Sequence, residues 1–176
     1  MVTYEMVKND PTVKVYIQKA GDALKAIGFS EHSFAHVCLV AEKAAYIMET
    51  LGYSERECEL AKISGLIHDI GNTVNRTNHA HSGALLAFSL LKERNFPTEE
   101  VIAVTTAIGH HDEKTAAPVT PIAAALILAD KSDVRATRVR NKNDIYTDIH
   151  DRVNYSVTKS ELDICPREKI ACLNLS

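Results

Sequence analysis

Leu66-Ile67-His68-Asp69-Ile70-Gly71 sets an imidazole beside a carboxylate at the end of an apolar helical run, and a fold that buries this stretch must satisfy both groups. Adjacent His and Asp, followed by a glycine that lets the backbone turn, can direct two metal-compatible side chains into one cavity. The same dipeptide also fits an ordinary helix C-terminus, where an imidazole meets free carbonyls. Seven of the eight histidines lie between His32 and His111, so their convergence decides between the two.

The surrounding pattern is helical. Asp10-Pro11 opens a helix whose apolar residues Val13, Tyr16, Ile17, Ala20, Leu24 and Ile27 repeat at helical spacing up to Gly28. A second helix runs from Ser33 to Leu51, with Val37, Val40, Ala44, Ile47, Met48 and Leu51 as its buried stripe and His36 on that stripe. Gly52 stops it. Ser54-Glu55-Arg56-Glu57 is a capping box that opens a third helix, leading to His68-Asp69. After a polar loop, Asn72 to Asn78, a fourth helix spans Ala80 to Glu93, and Pro97-Thr98-Glu99-Glu100 caps a fifth that carries Val101, Val104 and Ile108 to His110-His111. A loop, Ala116 to Val119, precedes Thr120-Pro121, which starts a sixth helix reaching Ala136. The charged stretch Arg135 to Lys142 precedes a seventh around Asp144 to Tyr155. Ser156 to Ile164 and Lys169 to Leu175 alternate around Pro166-Arg167-Glu168, which predicts a β-hairpin. The expected fold is an all-α bundle over residues 1–155 with a small C-terminal hairpin over 156–176.

With 176 residues, 45% of them hydrophobic, the chain suffices for one core, since this length buries roughly 70% of its unfolded surface. A net charge of -3 and a pI near 6.2 provide no basic field for nucleic acid. The N-terminus lacks the basic and apolar regions of a signal peptide, and no apolar run approaches the ~20 residues of a membrane span. A cytoplasmic location is expected. Cys38, Cys58, Cys165 and Cys172 show no Cys-x-x-Cys spacing and read as buried reduced thiols. Cys165 and Cys172 could face each other across the hairpin, but the compartment argues against a disulfide.

Asp130 falls on a stripe with Ala123, Leu126 and Val134 that ought to be core. A buried carboxylate costs several kcal/mol unless a cation pairs with it. An Arg or Lys from a neighbouring helix would serve. His36 and His68-Asp69 pose the same problem on two other helices, and one divalent cation would answer all three. Two imidazoles and two carboxylates suit Mn, Fe, Ni or Mg, with positions left open for water.

In order, type and spacing, His36, His68-Asp69 and Asp130 resemble the signature of the HD-domain metal-dependent phosphohydrolases, a helical family named for that central pair. The blocks are His36-Val37-Cys38-Leu39-Val40-Ala41, Leu66 to Gly71 and Leu128-Ala129-Asp130, within residues 30 to 138. The pattern is similar to the diadenosine tetraphosphatase and HD-GYP branches, although Lys114-Thr115-Ala116-Ala117-Pro118 carries no Gly-Tyr-Pro motif. The resemblance implies two ions and two further ligand positions. His79 is favoured over His81 because it precedes Gly83 by four residues, and His111 is favoured in the next block, with His110 as a second ligand or substrate contact. His32, one turn before His36, stands where some cyclic dinucleotide enzymes hold a third metal with a Glu; otherwise it would be solvated or face phosphate. Asn72 replaces a Lys found in many members.

The implied chemistry is hydrolysis of a phosphoester or phosphoanhydride in a small nucleotide-like substrate by a metal-activated hydroxide. Asp69 would bridge two ions, His68 and Asp130 would share the catalytic centre, and His36, His79, His110 and His111 would complete the ligands. Lys131, Arg135, Arg138 and His32 are the expected substrate contacts; Arg135 and Arg138 are spaced to share a helix face. Two rivals use the same residues: a di-iron oxygenase, and a nucleotide-sensing module with little turnover. Neither nucleic acid nor membrane is expected as a partner, and the hairpin is the expected place for a homodimer contact.

Overall fold

The computed structural model of the chain describes residues 2–140 and 149–176. Among the described residues it contains eight α-helices and one hairpin: α1 (Tyr4–Asn9), α2 (Pro11–Ala26), α3 (Phe34–Thr50), α4 (Glu55–Ile67), α5 (His79–Glu93), α6 (Thr98–Gly109), α7 (Pro121–Lys131), α8 (Ile149–Tyr155), β1 (Ser160–Cys165) and β2 (Ile170–Leu175). Two 3-10 turns, Ile70–Thr73 and Ala136–Arg138, follow α4 and α7.

Local chemistry sets the helix starts. Asp10 accepts from the amides of Thr12 and Val13 with Pro11 at the first helical position, Ser33 accepts from Ala35, and Thr120 accepts from Ala123 ahead of Pro121. Ser54 and Glu57 exchange both bonds of the expected capping box. Gly28 and Gly52 follow α2 and α3 in the left-handed conformation.

The core surrounds α3, whose Val40, Ala41 and Ala44 are wholly buried, together with Ile63, Leu66 and Ile67 of α4, Val104 and Ile108 of α6, and Leu126 of α7. Close approach depends on Gly65: a β-carbon there would lie 2.6 Å from the Ala41 Cα. That contact lets α3 and α4 draw His36 and His68 together.

Several expectations require correction. The chain opens with α1, whose six residues are too few to display a helical period. Ile27 and Leu51 lie past the last turns of their helices and are exposed. The sixth predicted helix ends at Lys131, not Ala136, because the Ser132 hydroxyl turns back to the Ala129 carbonyl while Lys43 reaches the Ser132 carbonyl from α3. Arg135 and Arg138 therefore flank a 3-10 turn and do not share an α-helical face. The predicted seventh helix is observed from Ile149; residues 144–148 lie outside the described ones.

β1 and β2 pair antiparallel, Ser160 opposite Leu175 and Cys165 opposite Ile170. Leu162 and Ile164 pack on the helical core, and the Ser160 hydroxyl donates to the Ser132 carbonyl at 2.7 Å, tying the hairpin to the end of α7. Cys58 is buried and Cys38 half-buried, but Cys165 and Cys172 are exposed, contrary to expectation, and all four are free. Cys172 stands opposite Asp163, diagonal to Cys165. No helix among the described residues is long and apolar enough to cross a membrane.

Candidate metal centre

Each central imidazole is oriented by the hydrogen bond its Nδ1 makes. His36 Nδ1 donates to Asp133 Oδ2 at 2.7 Å, His68 Nδ1 to the Gly65 carbonyl at 2.8 Å, His79 Nδ1 to the Arg76 carbonyl at 3.1 Å and His111 Nδ1 to the Ile108 carbonyl at 2.7 Å. In the neutral ring with Nδ1 protonated, each Nε2 carries a lone pair, and all four point inward.

What they meet is acceptor-rich. His36 Nε2 lies 3.4 Å from Asp130 Oδ1 and 4.0 Å from Asp69 Oδ2; His68 Nε2 lies 3.5 Å from Asp69 Oδ2 and 3.7 Å from Asp130 Oδ1. Across the carboxylate, Asp69 Oδ1 is 3.4 Å from His79 Nε2 and 3.8 Å from His111 Nε2, and those two nitrogens face each other at 3.2 Å. His36 Nε2 and His68 Nε2 are buried without a hydrogen-bond partner. Lone pairs aimed at carboxylates and at one another repel unless a cation stands between them. The donor set therefore fits divalent ions, and His36, His68 and Asp130, as well as His68, Asp69 and His111, converge closely enough to hold one.

The backbone that delivers these groups is tightly constrained. Asp69 follows the end of α4, and Asn72 in the next turn donates to its backbone carbonyl at 2.9 Å and to Oδ1 at 3.0 Å. A β-carbon on Gly71 would fall 1.9 Å from the His79 carbonyl oxygen and 2.5 Å from the Gly83 nitrogen. Only glycine lets the start of α5 lie against this turn, and that approach carries His79 to Asp69.

Electrostatics follow the same plan. Burial alone would raise the Asp69 carboxyl, but His68, His111, His32 and His79 outweigh it and hold the group well below the usual carboxylate range. Asp130 behaves alike, with His36, His68 and Lys131 overcoming burial. Burial pushes His32 down to about 3 and His79 down to about 4, against the pull of Asp69, whereas at His68 burial is outweighed by Asp69 and Asp130 and the imidazole is raised. Neutral imidazoles and ionised carboxylates are the forms that bind metal.

A cavity of about 300 Å³ opens over this cluster, lined by Asp69, His79, His111 and Asp130 below and by Phe29, Val134 and Val153 on its apolar side. Lys131 reaches Asp130 Oδ2 at 2.9 Å from the rim. Arg138 is buried: its Nε donates to the Glu31 carbonyl, Nη1 to the Asp133 carbonyl, and Nη2 to His32 Nε2 at 3.3 Å. His32 lines the wall with its Nδ1 on the Ser30 carbonyl and its Nε2 3.9 Å from Asp69 Oδ2.

Two predicted site residues stay apart. His110 caps α6 with Nδ1 on the Thr106 carbonyl and is absent from the cavity lining, since successive positions at a helix end point in different directions and His111 takes the inward one. Arg135 braces Asp133 at 2.7 Å and Glu31 at 3.2 Å instead of lining the cavity. His81 is exposed on the outer face of α5. Three contributors escaped sequence reasoning. Asp133 had a faint signal, its place three residues after Asp130, whereas Phe29 and Arg76 sit in loops where periodicity says nothing.

Fold and site together define a helical protein with a buried His/Asp cluster suited to divalent metal. The HD domain, as a family profile, matches residues 33–154, and the chain belongs to the HD-domain family. Among solved structures, the chain is similar to a predicted HD superfamily hydrolase from an uncultured Thermotogales bacterium, with 24% identity over 73% of this chain and 72% of that one and a TM-score of 0.51. Curated proteins give no match.

Proposed function

We propose that the chain is a phosphohydrolase that cleaves a phosphoester or phosphoanhydride bond of a small nucleotide-like substrate, using two divalent ions. The observation that carries this reading is the division of Asp69. Its Oδ2 faces His36 and His68 while Oδ1 faces His79 and His111, so one carboxylate serves two ligand groups. The solved relative described as a predicted hydrolase is in keeping with it.

His36, His68, Asp130 and Asp69 would hold one ion, and His79, His111 and Asp69 the other. Divalent ions bound there would supply Lewis acidity to water and to phosphoryl oxygens. The protein's own part is positioning and charge. Lys131, with His36 and His68, keeps Asp130 ionised and would meet an entering anionic oxygen; Arg138, fixed by three acceptors, offers the remaining edge of its fork. Phe29, Val134 and Val153 provide an apolar wall for the organic part of the substrate.

The test is a screen of nucleotides, dinucleoside polyphosphates and cyclic dinucleotides with protein loaded separately with Mn, Mg, Fe or Ni, following phosphate release and oxygen uptake in parallel. Phosphate release that disappears in Asp130→Ala is expected. Oxygen uptake with an organic substrate and no phosphate release would instead support the oxygenase, and tight nucleotide binding without turnover the sensor.

A further inference from the structure

We infer that Arg76 is a substrate-binding residue, whose guanidinium takes a phosphoryl oxygen on the His79 side of the centre and is held ready by Phe29. This rests on the phosphohydrolase reading.

Arg76 lies in the loop between the Ile70–Thr73 turn and α5 and lines the cavity with Asp69, His79 and His111. It meets His79 twice. The backbone carbonyl of Arg76 takes the Nδ1–H of His79 at 3.1 Å, while its Nη1 stands 3.4 Å from Nε2 of the same ring. That Nε2 is the nitrogen facing Asp69 Oδ1 and His111. A guanidinium beside a metal-ligating nitrogen is repelled once a cation binds, unless an anion enters between them. A phosphoryl oxygen is such an anion, and the planar fork of arginine matches it.

The other cavity cations already have polar partners: Lys131 pairs with Asp130, and Arg138 donates to Glu31, Asp133 and His32. Among the described residues no carboxylate lies in ion-pair range of Arg76. Its guanidinium instead rests over the Phe29 ring, 5.2 Å from the centroid, a contact that positions the group beside His79. An arginine held by a ring in a cavity lined by candidate metal ligands, with no carboxylate partner among the described residues, is arranged to receive an anion.

Inorganic phosphate is the probe. Calorimetric titration of Mn-loaded protein, with metal content measured on the same samples, should show phosphate binding by the native chain and a loss on the order of ten- to hundredfold in Arg76→Ala at unchanged metal content. Arg76→Lys should recover only part of the affinity, because a point charge lacks the fork. Phe29→Leu should weaken binding by about threefold. The backbone bond to His79 survives these substitutions, so metal content should hold. Phosphate affinity within twofold of native in Arg76→Ala, or a loss of metal in that variant, overturns the assignment while leaving the phosphohydrolase reading intact. If the native, metal-loaded protein itself binds no phosphate, the phosphohydrolase reading and the assignment fall together.

Discussion

Asp133 and His36, 97 positions apart, share a 2.7 Å hydrogen bond between buried side chains, and that bond fixes which imidazole nitrogen faces the metal centre. Arg135 and Arg138 neutralise Asp133 from behind, at 2.7 Å and 3.7 Å, so the carboxylate stays ionised despite its burial. Carboxylates behind ligand histidines fix the tautomer and raise ligand basicity. Asp133→Asn should lower metal affinity by roughly 10- to 100-fold. Competition against a chelator of known affinity measures it; an unchanged metal affinity would mean that the Asp133 bond serves packing alone.

Gly71 should be intolerant of any side chain. Gly71→Ala drives a methyl into the His79 carbonyl, and because backbone opposes backbone there, the start of α5 must shift. A loss of about 2 to 3 kcal/mol in urea unfolding is expected, at the upper end for overpacked sites. Weakened metal binding should accompany it, since His79 opens that helix. A stability within 0.5 kcal/mol of native, taken as roughly the noise of a surface substitution, would show that the turn yields cheaply.

Arg94 sets a pH signature remote from the centre. Its Nε donates to Asp10 Oδ2 at 2.7 Å, and this bond, opposed by burial and joined by the Val13 and Thr12 amides, lowers the Asp10 carboxyl to about 2. A carboxyl depressed on folding stabilises the protein above its unfolded pKa, near 3.8, and that stabilisation is lost as pH falls through the folded value. Arg94→Met should therefore cost about 1 kcal/mol at pH 7, allowing for solvent screening, with the gap to native closing between pH 4 and pH 2. Unfolding midpoints across that range report it, and a gap that persists at pH 2 would assign the loss to packing.

Thiol reactivity should divide the four cysteines. Cys165 and Cys172 stand exposed on the hairpin, whereas Cys58 is buried and burial raises its thiol pKa. Labelling of the native protein with a thiol-specific reagent should modify the hairpin pair well before Cys58, as peptide mapping would record. Equal rates would indicate that α4 opens readily.

Much of this architecture was written locally. The caps at Ser33, Ser54 and Thr120 and the apolar stripes of α3 and α4 are short-range signals, and the sequence placed His36, His68 and Asp69 on faces that the structure buries, with Asp130 half-buried beside them. What escaped depends on contacts between distant segments. Asp133 reads as one more charge beyond a helix end until the fold sets it against His36. Arg76 reads as loop until Phe29 and His79 are brought beside it. Arg135 and Arg138 look like a shared helical face only while α7 is taken to continue; once it stops at Lys131, one arginine braces Asp133 and the other enters the cavity wall. The adjacent pair His110-His111 could not be resolved by spacing, because the choice depends on how α6 ends.

The central claim is that Asp69 divides its two oxygens between two ion sites. Metal analysis of the native chain and of Asp69→Ala, both reconstituted with Mn and freed of excess by gel filtration, tests it directly. The account predicts two ions per native chain and the loss of both in the variant, with circular dichroism showing the helices retained. One ion per native chain, or a variant that keeps either ion, would contradict it.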